Sequence, residues 1–184
     1  MDPSGAAATT EQPAPRRPLV LTGPPAAGKS ATARAIAAGR PRAAVVDVDD
    51  VRQMVVSGGE PPWRGEEGRR QQVLGVQNAC RLARGFLGAA IDVVIADVLT
   101  PATAPLYRRE LDGCVVVHLV VDLDEAARRA ATRPVWLTEA EFRRLHDDDR
   151  LHPPPADHRV DVSRLSLAQQ AQAVEKIWAA SSAG

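Results

Sequence analysis

The chain has 184 residues, carries no net formal charge at pH 7 and is 45% hydrophobic. This length suits one domain with a single core and leaves little room for two. Non-specific nucleic-acid binding usually needs a basic surplus, so we expect no nucleic-acid partner. No stretch approaches the roughly 20 apolar residues of a membrane span. The N-terminus lacks a basic-then-apolar signal pattern, so we expect a cytoplasmic protein that does not bind membranes.

The N-terminal segment 1–17 differs in composition from the rest of the chain. It is rich in Ala, Thr and Pro and has no large aliphatic residue after Met1. Such a segment cannot bury enough surface to order itself. The sequence therefore predicts a disordered tail over 1–17 and one folded domain over 18–184.

Short β-rich runs alternate with helical stretches through this domain. The predicted strands are nearly continuous apolar runs at 19–22, 43–48, 91–96 and 114–121, with a weaker fifth at 159–162. Helices are predicted at 29–38 and 66–89, after an N-cap at Thr100 followed by Pro101, and after two capping boxes that begin at Thr138 and Ser166. Helical spacing predicts two apolar faces toward the core, Val73, Val76, Leu82, Phe86 and Leu87 in the second helix and Leu167, Ala171, Val174 and Trp178 in the last. Apolar strands that alternate with helices indicate an α/β three-layer sandwich with a parallel sheet of about five strands.

A phosphate-binding loop follows the first strand. Its eight residues fit G-x-x-x-x-G-K-[ST], and with the next residue of the helix the predicted nucleotide-binding set is Gly23, Pro24, Pro25, Ala26, Ala27, Gly28, Lys29, Ser30 and Ala31. The glycines let the backbone N–H groups turn toward phosphate oxygens, and the helix N-terminus adds positive potential. Lys29 can reach the β- and γ-phosphates, and the Ser30 hydroxyl can ligate Mg²⁺.

Carboxylates follow the second strand, in the sequence Asp47-Val48-Asp49-Asp50-Val51-Arg52. Ligands of parallel sheets lie beyond the carboxyl ends of the strands. Asp49 is the candidate catalytic base for an acceptor hydroxyl, with Asp47 on the same face by strand alternation. Alternatively, Asp49 and Asp50 cap the next helix. Arg52 either binds an anionic acceptor or pairs with Asp50.

The phosphate loop, the Val-Asp-Asp ending at Asp50 and a weak segment at 160–163 resemble chloramphenicol phosphotransferase and its AAA_33-type small-kinase relatives. The resemblance implies an adenylate-kinase-like P-loop NTPase fold with a helical lid. It also implies ATP on the loop and an aspartate after the second strand as base, which is Asp49 here. Gluconate, shikimate and adenylylsulfate kinases share a similar layout. Phosphotransferases that inactivate nucleoside antibiotics, such as capuramycin-type compounds, also fit.

The resemblance adds three further candidate residues. Asp97 ends the third strand, where similar kinases hold Mg²⁺ through water, although it could instead cap the turn before Thr100. Adenylate-kinase-like enzymes carry spaced arginines at the start of the lid. By that resemblance Arg129 packs on the nucleotide base and Arg133 contacts phosphate and assists catalysis. The alternative for Arg129 is an ion pair with Glu125 on a solvated helix face.

The lid is predicted at about 134–155 and the acceptor site between Val51 and Gln72. Trp63 in the acceptor segment either stacks on the acceptor or packs beneath the loop. The run 146–149 in the lid, one His and three Asp, is interpreted as a solvated lid end and not as a metal site.

These observations predict an O-phosphotransferase that uses ATP or GTP with Mg²⁺ to phosphorylate a hydroxyl of a small molecule, with an antibiotic as one candidate acceptor. The substrate-binding set is Asp49, Arg52, Trp63 and Asp97. Two alternatives stay open. One is a metabolite kinase of gluconate or shikimate type. The other is a nucleotide switch or a nucleic-acid-end kinase. The neutral net charge counts against the nucleic-acid-end kinase, because that enzyme has to bind a polyanion.

Overall fold

The computed structural model describes residues 16–132 and 137–182. The predictions for Arg133, for Trp136 and for residues 1–15 lie outside the described residues. The predicted lid is described from residue 137 onward.

The described residues form a five-stranded sheet in which all strands are parallel, in the order β2-β3-β1-β4-β5. The elements in chain order are β1 (Leu19–Thr22), α1 (Lys29–Ala38), β2 (Ala43–Asp47), α2 (Val48–Gln53), α3 (Gly65–Gly88), β3 (Asp92–Ala96), α4 (Ala104–Glu110), β4 (Val115–Val120), α5 (Leu123–Ala130), α6 (Glu139–Leu151), β5 (His158–Asp161) and α7 (Leu167–Ser182). The predicted fold class is confirmed. The predicted bounds of β1 match the structure, and those of the other four strands differ by at most one residue at each end.

Two apolar clusters cover the two faces of the sheet. Alternate residues of β1 show the arrangement: Leu19 and Leu21 pack in the cluster with α1 and α7, whereas Val20 packs in the cluster with α3 and α4. Central strands that are buried on both faces need apolar residues at nearly every position, which explains their unbroken apolar runs. The cysteines Cys80 and Cys114 are both buried and free.

Three helical predictions differ from the structure. The buried face of α3 consists largely of small residues, while Val73 and Leu82, predicted to face the core, are partly exposed. Helix α4 begins at Ala104 with Thr103 as N-cap, so the predicted cap at Thr100 was wrong. In α7 the predicted stripe included Leu167, which is 48% exposed. Both predicted capping boxes are present.

The start of the described chain is fastened to the C-terminal helix. The Arg16 backbone N–H donates to Asp92 at 2.8 Å, and the Trp178 indole N–H donates to the Arg17 carbonyl at 2.6 Å. The guanidinium groups of Arg16 and Arg40 lie 5.5 and 5.1 Å from the Trp178 ring. These contacts hold the far end of α7 at the amino edge of the sheet.

Within the described ranges, none of the helices combines the length and the apolar character needed to cross a bilayer.

Candidate active site

The phosphate-binding loop leaves β1 and enters α1 through two residues that only glycine fits. Gly23 has φ 143°, and a Cβ there would lie 2.3 Å from the Leu119 carbonyl oxygen. Gly28 has φ 90° and caps α1, where a Cβ would meet the Gln170 side chain at 3.0 Å. Ala26 between them also has positive φ, at 61°. This backbone course is that of a loop whose N–H groups face an anion.

The Lys29 ammonium folds back onto the loop. Its Nζ donates to the Gly23 carbonyl at 3.0 Å and to the Pro24 carbonyl at 3.1 Å. Desolvation by burial lowers the pKa of Lys29, and the surrounding carboxylates, first Asp49 and then Asp97, act in the opposite direction. The present acceptors of the Lys29 ammonium are two neutral carbonyl groups. Charged phosphate oxygens form stronger hydrogen bonds with an ammonium and can replace these carbonyls when a nucleotide binds.

The carboxylates after β2 lie in a helix, which corrects the prediction that Asp47 and Asp49 share a strand face. Asp47 ends the strand and caps α2 by accepting from the Asp49 backbone N–H at 3.3 Å. Asp49 and Asp50 occupy the first turn, so neither is the cap. The Asp50 carboxylate is 69% exposed and lies 3.9 Å from Arg34. Of the two alternatives for Arg52, the pairing with Asp50 is therefore not formed.

Arg52 instead bridges two candidate site residues. Its NH1 donates to Asp49 Oδ1 at 2.7 Å and its NH2 donates to Asp97 Oδ1 at 2.5 Å. Asp97 also accepts from the Tyr107 hydroxyl at 2.9 Å and from the Val98 N–H at 2.8 Å. Burial raises the pKa of Asp97, and the Arg52 guanidinium opposes that shift. The bridge places the exposed Asp49 carboxylate and the enclosed Asp97 carboxylate side by side.

The donors around the loop fit a magnesium ion that also binds nucleotide phosphates. Mg²⁺ usually takes one or two protein oxygens and completes its shell with phosphate and water. The Ser30 hydroxyl stands at the loop, and in the described ranges no three His, Cys, Asp or Glu side chains gather as an all-protein site. That Asp97 holds Mg²⁺ through water stays a prediction. In this structure both Asp97 oxygens accept protein hydrogen bonds.

A cleft of about 1000 Å³ joins the phosphate loop to the predicted acceptor segment. Lys29, Ser30 and Asp49 line one end, with Arg52 beside them. The larger part of the remaining wall is apolar, from Val51, Val55, Pro61, Pro62, Trp63, Leu74, Val98, Leu99, Leu137, Phe142 and Leu145. Polar and charged side chains complete it, among them Glu60, Arg69, Gln71, Gln72, Asn78, Arg144, Asp148, Asp149 and His152. Residues of the phosphate loop, the predicted base Asp49 and the predicted segment for the phosphoryl acceptor thus line one cavity.

Helix α6, from the predicted lid, lies against the phosphate loop. His146 is buried, and its Nε2 donates to the Pro25 carbonyl at 3.0 Å. The Phe142 ring packs on the His146 ring at 4.6 Å between centroids. Asp149 faces the buried His118, with 2.9 Å between a carboxylate oxygen and Nε2. The interpretation of 146–149 as a solvated lid end was therefore wrong for His146 and Asp149, and holds for the exposed residues 147 and 148.

The His146 contact predicts a pH-dependent stability. Burial lowers the pKa of His146, and the Pro25 hydrogen bond only partly offsets that shift. A lowered folded-state pKa means that the stabilisation is complete above the unfolded pKa of about 6.5 and is lost as pH falls through the lower folded value. His146→Gln keeps an amide donor but does not titrate. We expect the Tm of His146→Gln to fall less than that of the unsubstituted protein between pH 8 and pH 5. An equal fall in Tm would show that the titration of His146 is not the cause of the pH dependence.

Two other predicted site residues have defined contacts. The Trp63 indole N–H donates to Glu141 at 3.1 Å while the ring lines the cleft, so Trp63 connects the acceptor segment to α6. Arg129 donates to Glu125 at 2.7 Å and to the Val162 carbonyl at 2.7 Å. Its packing on a nucleotide base stays a prediction.

Ala31 is the last residue of the predicted nucleotide-binding set. It lies on α1, where its side chain is exposed, and its contact with a nucleotide stays a prediction.

Sequence reasoning missed several polar residues at or near the loop. His146 and Gln170 donate to loop carbonyls, whereas Tyr107 donates to Asp97 and His118 pairs with Asp149 farther from the loop. A signal was present for two of them: His146 follows Phe142 by four positions, and Gln170 precedes Val174 by four, so each lies in phase with a buried stripe. A polar residue in phase with an apolar stripe needs a hydrogen-bond partner in the interior.

Comparisons with known proteins identify the fold. Solved structures with the same fold include the shikimate kinase of Acinetobacter baumannii in complex with shikimate, with a TM-score of 0.64 and 17% identity over 89% of this chain and 94% of that one. The gluconokinase of Sinorhizobium meliloti 1021 has a TM-score of 0.66 and 17% identity over 91% and 94%. The APS kinase of Mycobacterium tuberculosis in complex with AMPPNP and APS has 0.63 and 19% over 89% and 98%.

The chain has the adenylate-kinase-like P-loop NTPase fold. No protein-family model matches the sequence. The search of curated proteins likewise gave no match. At identities below 20% the structural likeness defines the fold and leaves the reaction to be argued from the site.

Proposed function

We propose that this protein transfers the γ-phosphoryl group of ATP or GTP to a hydroxyl of a small molecule. The observation that carries the proposal is the shared cleft. Lys29 and Ser30 of the phosphate loop line the same cavity as the exposed carboxylate of Asp49. A phosphate-binding end and a proton-accepting end in one cavity are what phosphoryl transfer to an alcohol needs.

The reaction follows from these positions. The loop N–H groups and Lys29 bind the β- and γ-phosphates, and the acceptor hydroxyl approaches the γ-phosphorus from the Asp49 side. Its oxygen forms a bond to phosphorus as the bond to the β-phosphate oxygen breaks, and its proton passes to Asp49. Arg52 fixes the Asp49 carboxylate through the 2.7 Å hydrogen bond. Bound Mg²⁺, held by Ser30 and phosphate, would supply charge neutralisation.

The cleft wall favours a bulky and largely uncharged acceptor. Most of its lining surface is apolar and comes from aliphatic side chains, prolines and the Trp63 ring, while a smaller polar part comes from Glu60, Arg69, Gln71, Gln72 and Asn78. Such walls bind apolar surface and fix orientation with few polar groups. Arg52, the cation nearest the base, is already paired with two carboxylates. We therefore favour a hydroxylated natural product such as an antibiotic as the acceptor.

A metabolite kinase of gluconate or shikimate type is the second candidate. The neighbours in fold include a shikimate kinase and a gluconokinase. Arg69 also lines the cleft and is exposed, so a carboxylate on the acceptor would find a cation there. This candidate predicts that small hydroxy acids outcompete apolar alcohols.

The acceptor class is tested with a coupled assay of nucleoside-diphosphate release. The protein is mixed with pooled compounds, one pool of neutral hydroxylated natural products and one of sugars and hydroxy acids, with ATP and GTP each as donor. Stimulation by the natural-product pool supports the favoured acceptor. Stimulation by only the pool of sugars and hydroxy acids supports the metabolite kinase. A rate that no pool changes would count against transfer to a small molecule.

Trp63 is expected to set acceptor affinity. Trp63→Ala removes a ring from the cleft wall and the hydrogen bond to Glu141. Loss of a buried aromatic contact should raise the acceptor KM by about tenfold or more while the nucleotide KM stays unchanged. Trp63→Phe is the matched control, because it keeps a ring and loses only the hydrogen bond. Equal acceptor KM values for Trp63→Ala and the unsubstituted protein would place Trp63 outside the acceptor contacts.

A further inference from the structure

The carbonyl groups of the phosphate loop are held by side chains. Lys29, within the motif, binds the first two carbonyls, and His146 from α6 binds the carbonyl of Pro25. The carbonyl of Ala27 accepts from Nε2 of Gln170 at 3.0 Å. Gln170 lies 143 positions away along the chain, in the first turns of α7.

The direction of the Ala27 carbonyl decides the direction of the next N–H group. In a trans peptide the carbonyl oxygen and the following N–H point to opposite sides. With the Ala27 oxygen drawn toward Gln170, the N–H of Gly28 points away from α7. Gly28 is one of the residues that line the cleft. A loop N–H aimed into the cleft is a donor for a nucleotide phosphate.

Packing does not explain a glutamine at this position. Gln170 is 2% exposed and belongs to the buried stripe that continues with Val174 and Trp178. Leucine would fill such a stripe without the desolvation of an amide. The Gln170 amide also sits against Gly28, where a Cβ would approach Nε2 to 3.0 Å. The amide is therefore fitted to the loop and not to the core alone.

The loop needs such support because its backbone is strained. Ala26 has φ 61°, a conformation that non-glycine residues rarely adopt and that persists where the surroundings hold it. Helix α7 is itself fixed by Val174 and Trp178, whose side chains are fully buried in the core. Gln170 thus connects an anchored helix to the strained loop.

We infer that Gln170 is a positioning residue for nucleotide binding: it fixes the Ala27–Gly28 peptide so that the Gly28 N–H faces the phosphates, without touching the nucleotide. The inference rests on the proposed nucleotide binding at the phosphate loop, and it does not depend on which acceptor is phosphorylated. It assigns a role in the phosphate site to α7, which lies outside the sequence motif.

The test measures binding of phosphates rather than catalysis. Dissociation constants are determined by calorimetry for ADP, GDP and inorganic tripolyphosphate, and Tm is measured in parallel. Gln170→Leu removes the donor at nearly constant volume. We expect Gln170→Leu to raise two dissociation constants by about tenfold each, that of tripolyphosphate and that of whichever nucleotide, ADP or GDP, binds more tightly. The factor is similar for both because the lost hydrogen bond, from the Gly28 N–H, is to a phosphate group.

Two controls separate positioning from stability. Gln169→Leu makes the same change one residue away, in the capping box with Ser166. Trp178→Phe removes the indole donor at the far end of α7. Both are expected to lower Tm and to leave the dissociation constants unchanged. If Gln170→Leu folds poorly, Gln170→Asn, which is one methylene too short to reach Ala27, gives the same comparison.

The outcomes distinguish the two claims. Unchanged phosphate affinity in Gln170→Leu, or an equal loss in Trp178→Phe, would overturn the role of Gln170 and leave the proposed function intact. Failure of the unsubstituted protein to bind ADP, GDP or tripolyphosphate would overturn the proposed function and this inference together.

Discussion

Lys29→Ala is expected to abolish phosphoryl transfer. The Lys29 ammonium sits at the phosphate loop, bonded to loop carbonyls at 3.0 and 3.1 Å, and it is surrounded by carboxylates that cannot replace its charge. Removing a cation that stabilises the transferring phosphoryl group costs roughly 10³-fold or more in kcat/KM. The measurement is the initial rate of acceptor-dependent nucleoside-diphosphate release at saturating nucleotide.

The chain offers a matched control for this substitution. Lys176 is the only other lysine in the sequence and is exposed on α7. Lys176→Ala removes the same charge far from the cleft and should leave turnover near its original value. Turnover above about a tenth of normal in Lys29→Ala would mean that the loop does not bind the reacting phosphates as described.

Asp49→Asn is expected to lower kcat by orders of magnitude while nucleotide binding stays largely intact. Asparagine has nearly the same shape and can still accept from Arg52, but it cannot take the acceptor proton. General base catalysis contributes roughly 10²- to 10⁴-fold. Because the proposed nucleotide site is the loop and not α2, the nucleotide dissociation constant should hardly change.

Asp50 supplies the control for Asp49. It lies in the same turn of α2, 69% exposed and 3.9 Å from Arg34. Asp50→Asn changes the same charge at the next position and should keep near-normal kcat. If Asp49→Asn turned over as fast as Asp50→Asn, Asp49 would not be the base and another carboxylate beside the cleft would have to be considered.

Patterns within short stretches of sequence predicted most of the fold correctly. Apolar runs that reach across both faces of a sheet gave the parallel strands, and the motif from Gly23 to Ser30 placed the phosphate loop between β1 and α1. The capping boxes at Thr138 and Ser166 were also found, because a cap depends on residues three positions apart. Each of these signals is contained in a short window of sequence.

The site was predicted less completely because its contacts join distant elements. Alternation along a strand placed Asp47 and Asp49 on one face, but the chain turns into α2 directly after Asp47, and a helix has a different period. For Arg52 the sequence left two alternatives, an anionic acceptor or Asp50. The structure shows neither, because Arg52 binds Asp49 in its own helix and Asp97, which is 45 residues away. Such pairs depend on the order of the strands, which a local window does not contain.

The fate of the γ-phosphoryl group tests the central claim most directly. The protein is incubated with γ-¹⁸O-labelled ATP or GTP and a pool of hydroxylated small molecules, and the products are measured by mass spectrometry. The account predicts that labelled phosphate appears on one acceptor, whose mass rises by a single phosphoryl group, and that Lys29→Ala and Asp49→Asn do not form this product. Label that appears only in inorganic phosphate, at a rate that no acceptor changes, would contradict it.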